Sequence, residues 1–297
     1  MEQSFSQKVK AELAALPLTK SELMLAECYG ALLHLNRFSV TEIRFLSKNP
    51  DVCARMEQLM QKLFGFGFTQ ITAHSYRIED TEQLSKIAAK IGYDRDMHIS
   101  HSVNLGLLEE KGTTSAFLRG AFLTGGAVTS PQKSYQLELT SVHSAVSRGM
   151  ISLLQEQGFA PLHTIRRGNF VVYFKKSDAI ADFLTMIGAT NAALSHMTAK
   201  VEKHMQNAIS RKVNCDTANV GKTVAAAGVQ IAAIRKIEQM VGLDTLPEHL
   251  QELALLRMMN PEVSLFELAE LSHPPLTKSG ISHRMRKLVE IAKNMEQ

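Results

Sequence analysis

A chain of 297 residues with 45% hydrophobic content is long enough to bury one large core or two moderate ones. It has no apolar run of the roughly 18 to 20 residues that a membrane span requires, and its start, Met1-Glu2-Gln3-Ser4, lacks the basic flank and apolar stretch of a signal peptide. A cytoplasmic protein without membrane association is therefore expected, and a formal charge of +4 permits nucleic-acid binding without requiring it.

Helical periodicity begins early. Thr19-x-x-Glu22 reads as a capping box, and Leu23, Ala26, Gly30 and Leu33 follow at spacings of three and four on one face, in a helix ending near Asn36. A β-rich stretch from Phe38 to Leu46 comes next. A helix with Val52, Met56, Leu59, Met60 and Leu63 on one side then closes at Gly65-Phe66-Gly67-Phe68. Further strand runs to about Ile78, and a short helix from Glu82 to Ile91 ends at Gly92.

The same order recurs after Ser115. A helix passes through Phe117 to Leu123, a strand alternates Tyr135, Leu137 and Leu139 with Gln136, Glu138 and Thr140, and a helix carries Val146, Met150 and Leu153 to a close at Gly158-Phe159. Two strands span Leu162 to Phe174 across the turn Arg167-Gly168-Asn169, and a helix from Asp178 ends at Gly188. Gly30 to Phe68 is 38 residues and Gly120 to Phe159 is 39, and Gly30-Ala31-Leu32-Leu33 matches Gly120-Ala121-Phe122-Leu123. These spacings point to an internal duplication of an α-β-α-β-α unit, over about 19–92 and 115–188. The small residues on each first helix, Gly30-Ala31 and Gly120-Ala121, would let the two helices cross closely at a pseudo-twofold axis.

Leu118-Arg119-Gly120-Ala121-Phe122-Leu123-Thr124-Gly125-Gly126 resembles a degenerate copy of the LAGLIDADG motif of homing endonucleases, and Cys28-Tyr29-Gly30-Ala31-Leu32-Leu33-His34-Leu35-Asn36 resembles its partner. That resemblance implies two motif helices at the centre of a saddle of strands. In those enzymes each helix ends in a carboxylate that holds a catalytic magnesium ion, because phosphodiester cleavage needs a Lewis acid and an activated water. Here the matching positions hold Leu35 and Gly125, and no acid stands within four residues after either motif glycine. No enzymatic activity is expected. No metal or other cofactor is expected either: Cys28, Cys53 and Cys215 are far apart and without a CxxC pair, so buried free thiols are the reading, and the closest histidines, His98 and His101, have no second ligand cluster.

From about Asn191 to Met240 the chain reads as helices. Leu194, Met197, Val201 and Met205 are periodic, and so are Val224, Ala227, Ile231 and Ile234. Between them, Arg211 to Asn219 is rich in cap and turn formers and reads as the inter-domain connection. Gly221-Lys222-Thr223 ends like a phosphate loop, but the first glycine of that motif would fall at Asp216, which excludes it.

The last fifty residues carry the functional signal. A helix with Leu250, Leu253, Leu256 and Met259 stops near Pro261, and Ser264-Leu265-Phe266-Glu267 opens a short helix with a capping box. His273-Pro274-Pro275 ends it, and a new helix begins at Thr277 to Ser279 with Ile281, Met285, Leu288 and Ile291 inward. Lys278, Ser279, Ser282, His283, Arg286 and Lys287 are left largely outward. This is the pattern of a helix-turn-helix whose second helix enters a major groove. Residues 273–297 hold five basic residues, Lys278, Arg284, Arg286, Lys287 and Lys293, against two acids, Glu290 and Glu296.

The whole arrangement resembles the WhiA family, bacterial transcription regulators in which a degenerate homing-endonuclease-like domain precedes a helix-turn-helix domain. Its most specific stretches are Ser4 to Leu13, Phe117 to Gly126, Arg211 to Thr223, and Ser264 to Leu268 through Pro274-Pro275-Leu276-Thr277-Lys278-Ser279 to Arg286-Lys287-Leu288. Two departures are Ser210, where asparagine is usual before Arg211, and His34-Leu35-Asn36, where small glycines are common. The resemblance implies regulation of sporulation genes in filamentous actinobacteria, or of cell division or chromosome segregation in other bacteria.

The expected protein is thus α+β: a duplicated LAGLIDADG homing-endonuclease-like domain over 1–205, then an all-α domain over 206–297 with its helix-turn-helix at about 264–293. Its expected partner is double-stranded DNA, read by Ser264, Thr277, Lys278, Ser279, Ser282, His283, Arg284, Arg286 and Lys287. Secondary contacts are open to Arg44, Lys48, Arg166, Arg167, Arg211, Lys212 and Asn214, and to Lys133, Lys175 and Lys176, although Glu42 and Glu138 interrupt that surface. The N-terminal domain is instead open to a protein partner such as a sigma factor or another regulator. Scaffolding in the division machinery and metal-dependent cleavage are the competing functions.

Overall fold

The computed structural model describes residues 3–39, 41–93 and 102–295, and the His98–His101 pair lies outside them. The chain divides into two compact units, Met1–His204 and Met205–Gln297.

The first unit opens with a helix that periodicity alone had not marked, α1 (Phe5–Ala14), closed at its start by a reciprocal Ser4–Gln7 capping box. The first repeat follows: α2 (Ser21–Leu33), β1 (Arg37–Phe38), β2 (Ile43–Leu46), α3 (Pro50–Phe64), β3 (Thr69–Thr72), β4 (Ser75–Ile78) and α4 (Thr81–Lys90). The second is α5 (Thr113–Gly125), β5 (Gly126–Val128), β6 (Leu137–Ser141), α6 (Ser144–Glu156), β7 (Leu162–Arg166), β8 (Asn169–Phe174) and α7 (Ser177–Ile187). Each repeat makes a four-stranded antiparallel sheet of the same topology, β1-β2-β4-β3 and β5-β6-β8-β7. The hairpin joining β7 to β8 is a two-residue loop with both Arg167 and Gly168 at positive φ, the twist that suits a tight hairpin.

The two repeats meet where α2 crosses α5. A Cβ on Gly30 would collide with the carbonyl of Phe117, and one on Gly120 with the carbonyl of Glu27, so each glycine lies against the residue three before the other. The contact is therefore pseudo-twofold, and it brings two backbones together as only glycine permits. Around it lies one core that includes Tyr29, Leu32, Phe117, Phe122 and Phe183.

One carboxylate is buried in this core. Glu27, 1% exposed, accepts from Arg55 Nε at 2.6 Å and Nη2 at 2.9 Å, and from Arg119 Nε at 2.8 Å. Arg119 also donates to the carbonyl of Ile187, and Arg55 to that of Leu16. The network thus ties α2 and α3 of the first repeat to α5 and α7 of the second.

The structure corrects several expectations. Thr19 does not cap α2: the helix starts one residue later, Lys20 occupies the cap position, and no side chain bonds there. Of the three thiols only Cys28 is buried, with Cys53 partly so and Cys215 exposed. Arg211 to Asn219 is not a turn-rich segment but part of a single helix, α8 (Thr190–Met240). Those residues each cost only tenths of a kcal/mol in a helix, and no proline interrupts them, so the cooperative ladder runs through. Along it Leu194, Met197, Val201, Met205 and Val224 are exposed rather than buried. Among the described residues no helix is long and apolar enough to cross a membrane.

In the second unit, the end of α8 packs with α9 (Glu248–Met259), α10 (Leu265–Glu270) and α11 (Lys278–Asn294). Of the apolar residues that mark α9 in sequence, Met259 is 80% exposed, and on α11 Ile291, expected inward, is only partly buried. The inner face of α9 is instead Leu250, Leu253, Ala254 and Arg257.

Candidate nucleic-acid interface

The chemistry of the second unit follows from how α10 and α11 are held. Ser264 and Glu267 close α10 reciprocally: the Ser264 amide donates to Glu267 Oε2 at 2.7 Å and the Glu267 amide to Ser264 Oγ at 3.3 Å. Those hydrogen bonds hold the Glu267 carboxyl below its usual pKa. The chain then turns with Ser272 as its fastener. Ser272 Oγ donates to the Ala269 carbonyl at 2.7 Å and accepts from the Leu276 amide at 3.0 Å. Thr277 caps α11, its Oγ1 accepting from the Gly280 amide at 3.1 Å.

Ile281, Met285, Leu288 and Ala292 anchor α11 to the core. At 100° per residue this leaves Ser279, His283 and Arg286 on the opposite side, with Lys287 beside them. All four are exposed, as are Lys278 and Thr277, while Ser282 and Ser264 are half-buried. Both cap hydroxyls accept backbone N–H groups and keep their own protons for donation. Arg284 stands apart from this row. It is half-buried and lines a cavity of about 350 Å³ with His249 and Glu252 of α9, so the two arginines of α11 face different surroundings.

Charge pairing separates the candidate cations. Among the described residues, none of Lys278, Arg284, Arg286, Lys287 and Lys293 takes part in an ion pair. On the first sheet, by contrast, Arg44 bonds Glu42 at 2.7 Å, with Arg37 at 3.2 Å and Arg77 at 3.1 Å from the same carboxylate. Burial raises the Glu42 pKa, but Arg44, then Arg37 and Arg77, outweigh it and hold the carboxyl below its usual range. On the second sheet Arg166 pairs with Glu138 at 3.0 Å. Lys48, Lys133, Arg167, Lys175 and Lys176 are exposed, with Lys175 over the Tyr173 ring. Arg211, Lys212 and Asn214 lie on the exposed middle of α8 rather than in a loop.

The ends of the motif helices do not fit a magnesium ion. Leu35 is buried and apolar, and Gly125 has the Thr140 carbonyl and the His34 ring where a side chain would project. His34 is a buried neutral imidazole whose Nδ1 bonds the Gly30 carbonyl at 2.9 Å. Burial, reinforced by His143, lowers its pKa to about 4 against the opposing effect of that hydrogen bond.

Two buried polar features escaped the reading of residue types. The Glu27 network joins residues 28 and 92 positions apart, and no local pattern announces it. Arg257 was visible in principle, because it stands at 250-253-257 spacing on the core face of α9.

Comparison with known proteins agrees with this architecture. Residues 114–206 match the model of the WhiA LAGLIDADG-like domain, and residues 209–292 that of the WhiA C-terminal HTH domain. The chain is 34% identical to the probable cell division protein WhiA of Ruminiclostridium cellulolyticum, covering 99% of this chain and 98% of that one. It is 33% identical to the protein of the same name in Staphylococcus haemolyticus, over 97% and 96%. Among solved structures, full-length DUF199/WhiA from Thermatoga maritima matches with a TM-score of 0.58 at 26% identity, over 98% of this chain and 99% of that chain. The chain belongs to the WhiA family, a LAGLIDADG-like domain followed by the helix-turn-helix domain of a DNA-binding regulator.

Proposed function

We propose that this chain is a non-catalytic, sequence-reading regulator that binds duplex DNA through α11, with cell division as the process it regulates. The observation that carries the reading is the exposed row Ser279, His283 and Arg286, flanked by Lys278, Ser282 and Lys287, whose cations have no carboxylate partner among the described residues. Arginine and serine at those positions can address base edges, while the lysines suit phosphates. Ser264 and Thr277 would add hydroxyl contacts to the backbone, and Arg284 a contact at the α9 side. Cell division is the process in the relatives' names, and sporulation and chromosome segregation are the alternatives the family resemblance implies. The expected setting is the nucleoid. A sigma factor or another regulator is the class of protein partner assigned to the N-terminal unit, whose sheet arginines are already paired. Catalysis is not part of the proposal, because Leu35 and Gly125 stand where metal-binding carboxylates would be needed.

The test is duplex binding by the full chain over a salt series, with magnesium added in parallel. Arg286→Ala with Lys287→Ala should weaken binding by about a hundredfold and flatten the salt dependence by roughly two ions, with no cleavage in any sample. Binding indifferent to the double substitution would return the chain to the scaffolding reading, and magnesium-dependent nicking would revive the nuclease.

A further inference from the structure

Arg257 is among the largest side chains of the molecule to be fully withdrawn from water, at 1% exposure. Its Nη1 donates to the carbonyls of Asn260 at 3.2 Å and Val263 at 2.8 Å. Its Nε has no acceptor, and among the described residues no carboxylate pairs with it. Burial lowers its pKa, yet a guanidinium stays charged in a protein, so a buried cation is left without a counter-ion. The N-terminal unit meets the same difficulty at Arg55 with a buried glutamate. Among the described residues of the C-terminal unit no carboxylate does so for Arg257.

Beside Arg257 is a cavity of about 290 Å³ between α8, the start of α10 and the first residue of α11. Lys222, Thr223, Gln230, Arg257, Ser264 and Lys278 supply its polar walls, and no acid is among the lining residues. Gln230 is 9% exposed and its Oε1 is also without a partner. The two ends of that amide interchange by a half-turn, which would present its N–H groups instead. A basic cavity flanked by two buried, unpartnered polar groups has the makings of an anion site.

We infer that this cavity seats a phosphate oxyanion, with Lys222, Lys278, Arg257 and Gln230 as its donors. Its position between the cap of α10 and the start of α11 makes a backbone phosphate of the DNA the expected occupant, so the inference rests on the DNA-reading proposal for that source. A free phosphate-bearing molecule would offer the same chemistry. The occupied seat would extend the interface along α8 to Lys222, beyond Arg211, Lys212 and Asn214.

The test uses the full chain and Lys222→Ala, a change at an exposed helical position that alanine suits, with Lys222→Arg as the conservative control. In the first arm, two duplexes of unrelated sequence are titrated over a salt series. Lys222→Ala should weaken both by the same factor, about three- to tenfold, and lower the salt slope by about one, while Lys222→Arg restores both. In the second arm, inorganic phosphate is titrated against chloride at equal ionic strength, reading the ¹⁵N resonances of Arg257 Nε and the Gln230 amide. A saturable shift with phosphate alone supports the seat. If the intact chain binds no duplex, the DNA-reading proposal fails while the phosphate arm still decides the seat. Slope loss without a phosphate shift assigns the seat to the DNA backbone, and a shift without slope loss assigns it to a free phosphate. An unchanged slope together with no phosphate-specific shift overturns the inference.

Discussion

The two units treat charge in opposite ways. In the N-terminal unit, arginines of both repeats are drawn into carboxylates: Arg55 and Arg119 onto Glu27 inside the core, Arg37, Arg44 and Arg77 onto Glu42, and Arg166 onto Glu138. In the C-terminal unit the cations of α11 have no such partners among the described residues, and neither does the buried Arg257. A surface guanidinium already held by a carboxylate gains little when a phosphate approaches, because the acid must be displaced or left repelling the ligand. Counting basic residues along a sequence therefore does not separate the arginines already held by a carboxylate from exposed cations such as Lys48, Lys133 and Arg167.

The sheets make the same point within the first unit. The registers align Arg37, Arg44 and Arg77 in one row across β1, β2 and β4, and Ala127, Glu138 and Tyr173 in the corresponding row of β5, β6 and β8. The duplicated topology thus carries two unlike faces. Three arginines side by side would repel one another, and Glu42 in their midst is what makes the row tolerable.

The largest way to break the comparison is at the core. Glu27→Gln leaves Arg55 and Arg119 buried without their counter-ion and should destabilise the N-terminal unit by about 3–5 kcal/mol, read by denaturant unfolding. Its duplex affinity, measured where the variant is still folded, should be unchanged. A loss below about 1 kcal/mol would mean that the network is not the fastening it resembles.

A smaller effect is expected from pH. The folded-state pKa of His34 lies at about 4, below its ordinary value of 6.5, so between these values the unfolded chain takes a proton that the folded one refuses. Stability is therefore complete above about pH 6.5 and falls as pH drops towards 4, by on the order of 3 kcal/mol in total. His34→Thr, which places there the residue found at the matching position Thr124, should remove about one proton from the slope of unfolding free energy between pH 6.5 and 5. An unaltered slope would show that His34 is not the group responsible.

The smallest effect sharpens the comparison most directly. Glu42→Gln frees Arg37 and Arg44, while Arg77 keeps Glu79 at 2.8 Å, and if pairing is what silences the first sheet, duplex affinity at low salt should rise by about two- to fivefold with a steeper salt dependence. No gain would mean that this sheet does not face the duplex at all.

Much of this architecture is legible in the chain. The duplicated order of elements shows in matched glycines and hydrophobic spacing, because helices and strands impose periods of 3.6 and 2 on whatever they bury. The capping box at Ser264 and the prolines at 274 and 275 mark the two helices of the reader in residue type alone. The N-terminal helix α1 was not legible from periodicity, since only Val9 and Leu13 are fully buried on it. The middle of α8 misled for a different reason: residues that favour caps and turns are only weakly unfavourable in helices, and cooperativity overrode them.

The sequence by itself thus determined the order of elements, the crossing of two glycine-bearing helices, the loss of the metal carboxylates and the basic face of α11, since each is written in residue type at local spacing. Only the tertiary structure decided which charges are already neutralised. Glu27 meets Arg119 across 92 positions, Arg44 is taken by Glu42 while Arg286 is not, and Arg257 is buried where a leucine would be expected. Ion pairing and burial depend on distance in space between residues remote in sequence, and no local pattern carries that information.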